Sequence, residues 1–185
     1  MSSLIKLHIG GKEVKAGWKI LNAQQGTGVD YIGDIRDLMQ FDNASCELIY
    51  GSHVLEHVSQ RDMVKTLQGI RRLLIPNGKL MISVPDLDTL SKLFVHPQLN
   101  LEQRFHVMRM MFGGQVDDYD FHYIGLNFEI LYSYLKIAGF SSASRIDAFN
   151  LFDDTSNYKP YGVPISLNVI AINSESNANS VDSTQ

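Results

Sequence analysis

A nearly unbroken apolar run at residues 80–84 constrains the fold of this chain more than any other feature. Its single polar residue is Ser83. A strand with one solvated face alternates apolar and polar residues, whereas a continuous apolar run is typical of a strand covered on both faces. The run follows Pro76-Asn77-Gly78, which predicts the end of a helix and a turn. We therefore expect a buried strand directly after a helix.

Apolar residues recurring every three or four positions predict three helices. They run from about residue 59 to the turn at 76–78, over 101–112, and over about 128–138. Ser59 and Asp62 have the spacing of a capping box at the start of the first helix. Asn100 and Gln103 have the same spacing before the second. The inward face predicted for that second helix consists of Leu101, Phe105, Met108 and Phe112.

Short apolar stretches between these helices predict strands at 4–9, 18–21, 29–32, 47–50, 144–149 and 165–172. Strands that alternate with helices indicate an α/β fold with a mainly parallel sheet. In open sheets of this kind, ligands bind beyond the carboxyl ends of the strands. The residues that follow the predicted strands are therefore the first candidates for a functional site.

Composition narrows the class of protein further. With 185 residues, 44% hydrophobic, the chain suits one globular domain, placed at 1–173, with a polar, flexible tail at 174–185. A net charge of −4 disfavours a nucleic-acid partner. No apolar run approaches the roughly 20 residues of a membrane span, so no membrane association is expected. The single cysteine, Cys46, forms no internal disulfide and predicts a cytoplasmic location.

Three motifs point to a known family. They are residues 33–38 (GDIRDL), residues 48–57 (LIYGSHVLEH), and residues 71–80 (RRLLIPNGKL), the last followed by SVPD at 83–86. As a set, they resemble the class I S-adenosylmethionine (SAM) methyltransferases of the type 11 kind. The resemblance covers about residues 4–172.

The resemblance implies a Rossmann-like sheet of seven strands, the last antiparallel, with SAM across its carboxyl edge. It places a glycine loop near the methionine part of SAM, an acidic residue at the ribose, an Asp-apolar pair at the adenine, and residues after the fourth strand near the sulfonium. In this sequence the matching residues are Gly10, Gly11, Asn22, Asp34, Ile35, Ser52 and His53. Gly10-Gly11 also has a structural interpretation as a tight turn, Asn22 as a strand-end residue and Asp34 as a cap.

This chain departs from the family pattern at three points. Gly10-Gly11-Lys12 lacks the second family glycine, and Asn22 replaces the acidic residue expected at the ribose. About eight residues join the first two strands, too few for the usual crossover helix. The sheet should therefore have a bare patch. We expect either the 101–112 helix or a second subunit to cover it, which makes a homodimer a further expectation.

The sequence His53-x-x-Glu56-His57 admits several interpretations. It matches an inverted zinc-protease motif, but it follows a strand directly and lacks the long helix of such a site. Some type 11 relatives bind a divalent ion at the matching positions. An imidazole titrates near neutral pH, so His53 or His57 could instead be the general base; alternatively, His57 is structural. We select His53 and His57 as catalytic candidates and assign no metal ligand.

Residues 112–123 combine aromatic, acidic and histidine side chains between the fifth strand and the 128–138 helix. The resemblance implies a substrate lid here; the alternative is a surface loop with aromatic anchors. His122 has no neighbour at a metal-binding spacing and receives no role. The favoured function is SAM-dependent methyl transfer to a small molecule. Its rival is a non-catalytic binding or scaffold protein with a degenerate cofactor site.

Overall fold

A seven-stranded sheet forms the centre of the protein in a computed structural model that describes residues 4–174. The strand order is β3-β2-β1-β4-β5-β7-β6, and only β7 runs antiparallel to its neighbours. This is the predicted architecture. Apart from Ser174, the predicted tail lies outside the described residues. The strands are β1 (Ile5–Ile9), β2 (Trp18–Asn22), β3 (Tyr31–Ile32), β4 (Cys46–Ser52), β5 (Leu74–Pro85), β6 (Ser142–Ile146) and β7 (Ser166–Asn173).

Four α-helices accompany the sheet: α1 (Met63–Leu73), α2 (Leu87–Phe94), α3 (Leu101–Phe112) and α4 (Phe128–Ile137). The sequence predicted all but α2. The longest, α3, has 12 residues, whereas a membrane span needs about 20. Within residues 4–174, none of the helices therefore has the length and hydrophobicity to cross a membrane.

The main hydrophobic core lies between one face of the sheet and the pair α1 and α4. Leu67 and Ile70 of α1 and Leu131 of α4 are fully buried against strand residues such as Leu7 and Ile49. Gly139, at φ +95°, follows α4 in the left-handed conformation that closes a helix. This packing fixes the strands whose carboxyl ends form the candidate site.

The opposite face of β1 and β4 has a different cover. Residues 10–17 join β1 to β2 without a helix, as the spacing predicted. Phe152 packs over three rings on this face, its centroid 4.1 Å from His8, 5.2 Å from Trp18 and 5.1 Å from Tyr50. The expectation that the 101–112 helix covers this patch is therefore wrong. The cover is the segment 147–163, and the Tyr50 hydroxyl anchors it by donating to Asp154 at 2.7 Å.

The ends of three predicted elements, α1, β3 and β6, differ clearly in the structure. Helix α1 begins at Met63, after a turn at 59–62, and ends at Leu73. The triplet 76–78 thus lies inside β5, where Asn77 has φ +62° and the pairing with β4 shifts register. Helix α1 therefore ends before Pro76, and the proline does not terminate it. Similarly, β3 is shorter than the predicted 29–32, and β6 ends three residues before position 149.

Helix α3 has the predicted bounds but buries a different face. Asn100 and Gln103 form the predicted capping box, with reciprocal bonds of 2.9 Å. However, Leu101 is 84% exposed and Phe105 56% exposed, so the predicted inward face is wrong. The helix instead buries Val107 in a small cluster with Leu90 and Leu93 of α2 and with Ile165, the residue before β7.

Candidate functional site

A cleft of about 690 Å³ opens at the carboxyl ends of β1, β2 and β4. This volume is in the range of small-molecule and cofactor sites. Of the seven predicted cofactor-binding residues, five line it: Gly10, Asn22, Asp34, Ile35 and His53. Gly11 and Ser52 do not. His57, the second catalytic candidate, also lines the cleft. The structure thus brings most of the predicted residues into one space.

The two glycines that begin the β1–β2 loop leave no room for a Cβ, each because of a different neighbouring side chain. Gly10 has φ +74°, and a Cβ there would lie 2.4 Å from Cγ1 of Val54. A Cβ on Gly11 would lie 2.5 Å from Nδ1 of the buried His8. Burial lowers the pKa of His8 to about 4, so this ring is neutral near pH 7. Gly10 therefore keeps the cleft wall close to the backbone, whereas Gly11 serves packing beneath it.

Asn22 ends β2 and connects two loops of the cleft. Its Nδ2 donates to the Gly11 carbonyl oxygen at 3.2 Å, and its Oδ1 accepts from the Gln24 amide at 3.0 Å. A carboxylate could not donate to Gly11. The amide that replaces the family acid therefore fixes the glycine loop against the end of β2.

Asp34 forms a two-point ion pair with Arg36 inside the cleft. The guanidinium Nε lies 2.9 Å from Oδ1 and Nη2 lies 2.6 Å from Oδ2, and the Arg36 amide donates to Oδ1 at 2.8 Å. These hydrogen bonds hold the pKa of Asp34 below its usual value. Arg36, which the sequence did not single out, brings a positive charge to the predicted adenine end of the cleft.

His53 is held in the left-handed region, at φ +52°, directly after β4. Ser166 donates to the Thr155 carbonyl at 2.8 Å, so its Oγ accepts from His53 Nε2 at 2.9 Å. The other ring nitrogen lies 3.3 Å from Oε1 of Glu56. Burial, reinforced by the nearby His122, lowers the pKa of His53 to about 3. His53 is thus a neutral imidazole with both nitrogens directed at protein groups.

Glu56 and His122 meet His57, which lines the cleft, at one side of it. His57 Nδ1 lies 3.0 Å from the Phe121 carbonyl oxygen, and His122 Nδ1 lies 3.3 Å from that of Met111. The two rings are 5.0 Å apart and nearly perpendicular. Burial lowers the pKa of His122 to about 4 and raises that of the Glu56 carboxyl to about 8.

The segment predicted as a lid forms one wall of the cleft through residues 116–120 and Tyr123. The Tyr123 amide donates to the Glu56 carbonyl at 2.8 Å, which ties the segment to the end of β4. Sequence reasoning missed His122 because its partners lie about 65 residues earlier in the chain. The resemblance of 112–123 to a substrate lid was the only signal that placed it near His57.

Comparison with known proteins identifies the fold. Residues 4–82 match the family model described as a methyltransferase domain. A SAM-dependent methyltransferase from Archaeoglobus fulgidus has a TM-score of 0.59 at 13% identity, covering 92% of this chain and 86% of that one. One from Mesorhizobium loti has a TM-score of 0.56 at 17% identity, covering 92% and 91%. The chain has the class I methyltransferase fold.

This chain is shorter than several proteins of similar fold. The chain covers 49% of the CurJ carbon methyltransferase, at 14% identity and a TM-score of 0.54. It also covers 51% of an O-methyltransferase structure from Nostoc punctiforme, at 12% identity and a TM-score of 0.55. It therefore spans about half the length of these relatives. No curated protein sequence matches the chain.

Proposed function

We propose that this chain binds SAM in the cleft and transfers the methyl group of SAM to a small-molecule acceptor. The observation that carries the proposal is the convergence of Gly10, Asn22, Asp34, Ile35 and His53 on one cleft of about 690 Å³. These residues come from four separate stretches of the chain, and the methyltransferase resemblance assigns them to neighbouring parts of one ligand.

The charges of the cleft suit a cationic cofactor. Lys12 and Arg36 are its basic residues, and Arg36 is already paired with Asp34. Three further acids come from the opposite wall: Asp117, Asp118 and Asp120. Opposite charge raises the local concentration of a ligand. An acidic wall therefore favours the sulfonium and ammonium groups of SAM.

SAM carries an activated methyl group, so the protein has to align the acceptor and exclude water. In the proposed complex, the segment 116–123 closes over the acceptor. Where the acceptor is a hydroxyl or amine, His57 is the better placed base, because its Nδ1 donates to Phe121 and leaves Nε2 unprotonated. His53 would position groups through the bond to Ser166 rather than accept a proton.

Calorimetric titration of the full chain with SAM and with its demethylated product tests the proposal. We expect one molecule bound per chain. Ala23 lines the cleft, so Ala23→Trp should weaken binding by at least about tenfold, or 1.4 kcal/mol. Ala16 is exposed and does not line the cleft, so Ala16→Trp is the matched control. Equal affinities for the two variants would contradict the assignment of the cleft.

A non-catalytic binding or scaffold role is the second candidate. The two-point Asp34–Arg36 pair and the inward bonds of Asn22 favour it, because both predicted cofactor ligands already have protein partners. Absence of heat and of a thermal shift with either ligand would support this candidate. A new mass in metabolite mixtures incubated with the protein and SAM would exclude it.

The other proposals concern the partner, the oligomeric state and the cellular location of the protein. We retain a small molecule as the partner, with neither nucleic acid nor membrane, and a homodimer as a proposal that light scattering over a dilution series tests. Cys46 is buried and unpaired, with its thiol pKa raised by burial. A buried free thiol fits the predicted cytoplasmic location, which stays a prediction.

A further inference from the structure

Three side chains that metal ions commonly use converge beside the cleft. Glu56 and His57 lie in a 3₁₀ turn after β4, and His122 comes from the segment after α3. One ligand atom from each lies within 4.8 Å of the others, and Glu56 Oε1 is 4.0 Å from His122 Nε2. Residues about 65 positions apart in the sequence thus contribute to one cluster.

Both imidazoles present the nitrogen that a metal requires. His57 Nδ1 faces the carbonyl oxygen of Phe121, and His122 Nδ1 faces that of Met111. A carbonyl oxygen can only accept, so each Nδ1 carries the proton and each Nε2 keeps its lone pair. Metal-binding histidines are held in this way, with the second nitrogen donating to a backbone carbonyl or a carboxylate.

The carboxyl group of Glu56 lacks a partner that would account for its burial. The side chain is 2% exposed, and neither oxygen has a hydrogen bond within residues 4–174. An unpartnered buried polar group costs stability. Arg36, Asp120 and Tyr123 border the same cleft, but the groups nearest the carboxyl are the imidazoles of His53 and His122, at 3.3 and 4.0 Å. A cation between these groups would satisfy the carboxylate.

We propose that Glu56, His57 and His122 bind one divalent transition-metal ion of the Zn²⁺ class. Two imidazoles and one carboxylate suit such borderline ions better than Mg²⁺ or Ca²⁺, which prefer oxygen ligands. Metal–ligand bonds of about 2.1 Å in tetrahedral geometry place ligand atoms about 3.4 Å apart. The Glu56–His122 separation is 4.0 Å and no separation in the cluster exceeds 4.8 Å, so binding needs side-chain movements of about 1 Å. Three protein ligands leave a fourth position for water or another ligand. With the ion bound, His57 Nε2 is a ligand, so the role of base proposed above belongs to the metal-free protein.

His53 is not among these ligands. Its Nε2 is engaged by Ser166, and its Nδ1 faces Glu56. When Glu56 ionises on the metal, the His53 proton moves to Nδ1 and the Ser166 hydroxyl turns to donate to Nε2. His53 then orients the carboxylate that binds the ion, as outer ligand partners do.

The proposed ion has a mechanical consequence. Residues 113–123 are joined to the end of β4 by the Tyr123–Glu56 backbone bond and by the His57–Phe121 bond. An ion held by His122 as well as Glu56 and His57 would cross-link this wall of the cleft to the sheet. Metal binding therefore rigidifies the segment, whether or not SAM is bound.

Titration of the chelator-treated full chain with ZnCl₂ tests the site without SAM. We expect one ion per chain by calorimetry, and a visible ligand-field absorption when Co²⁺ replaces Zn²⁺. His122→Ala and Glu56→Gln should each weaken binding by more than about tenfold and abolish the Co²⁺ band. His96 is exposed and lies outside the cluster, so His96→Ala is the matched control and should bind as the original chain does.

Circular dichroism spectra of all variants establish that they are folded before titration. Binding that is equally weakened by His96→Ala, or unchanged in both cluster variants, means adventitious surface histidines and overturns the proposal. The same holds if the folded original chain takes up no Zn²⁺. SAM binding is measured separately, so a failed metal site leaves the proposed methyltransferase function standing, and the reverse is also true.

Discussion

Gly10 is subject to two constraints, a positive φ and a lack of space for a Cβ. Comparison with Gly17 separates them. Its φ of +74° disfavours any side chain, and a Cβ would also meet Val54 at 2.4 Å. Gly17 has a similar φ of +81° with nothing within 4 Å of a built Cβ. Gly17→Ala should therefore cost only the conformational penalty, about 1–2 kcal/mol. Gly10→Ala adds steric overlap and should cost about 2–4 kcal/mol.

Urea unfolding of the two variants measures this difference, and Val54→Ala in the Gly10→Ala background should recover part of the loss. SAM titration of the same proteins then reports on the cleft. Equal destabilisation by the two alanines would mean that the Gly10 loop is not pressed against Val54.

Glu56 makes stability depend on pH in a direction unusual for a carboxyl group. Burial raises its pKa from 4.5 to about 8, so the folded state binds the proton more tightly than the unfolded state. Its contribution is fully present below pH 4.5 and is lost as the pH rises towards 8. Relative to Glu56→Gln, which stays neutral, the chain should lose a few kcal/mol over this range, at about 1.4 kcal/mol per unit of pKa shift.

Chemical denaturation of both proteins in the presence of a chelator, at several pH values, measures that difference. His53 and His122 have lowered pKa values and give the opposite slope below about pH 6.5. Because both proteins retain these histidines, comparison with the glutamine variant isolates Glu56. A difference that is constant between pH 5 and 8 would contradict a buried neutral carboxyl.

Helix α3 has ends that follow from its local sequence and a buried face that does not. Its ends follow from local rules, because the capping box and Gly113 act through neighbouring residues. Its buried face depends on distant residues: α2 and Ile165 contact Val107, while Leu101 and Phe105 remain exposed. Periodicity identified an apolar stripe but not the surface that it would meet. Helix α2 was missed because its eight residues give only two turns of pattern.

Substitutions on the two faces of α3 test its orientation. Phe105→Gln should change the free energy of unfolding by less than about 0.5 kcal/mol, as for other exposed positions. Val107→Ala removes two buried methyl groups and should cost roughly 2 kcal/mol. Urea unfolding with an unchanged helical signal measures both. A larger cost for Phe105→Gln than for Val107→Ala would restore the face that periodicity predicts.

In the site, too, local sequence does not show which distant residues will be in contact. Gly10, Asn22 and Asp34 could be placed from the sequence because each follows a strand, and strand ends of a parallel sheet meet at one edge. The partners that define their chemistry could not. Arg36 pairs with Asp34 through side-chain geometry, and His122 reaches His57 through the fold of a separate segment. Local pattern located the cleft, and tertiary contacts determined its charges and proton positions.

The segment 147–163 covers the face of the sheet where the short β1–β2 connection provides no helix. With only eight residues between β1 and β2, the chain leaves His8, Trp18 and Tyr50 on an uncovered face. Phe152, about 130 residues later, packs on all three rings and is 4% exposed. Lys15 Nζ also donates to the Leu151 carbonyl at 2.6 Å, joining the short loop to its cover.

Phe152→Ala should therefore cost about 3–5 kcal/mol, the usual loss for a buried aromatic ring. Trp18 is the only tryptophan of the chain, and its ring lies 5.2 Å from that of Phe152. Its fluorescence should shift to longer wavelength when the cover is removed, since water then reaches the indole. Tyr158, in the same segment and 44% exposed, provides the control: Tyr158→Ala should leave the emission unchanged. If Phe152→Ala leaves both emission and stability unchanged, this face has another cover, and a second copy of the chain becomes the candidate to test by sedimentation.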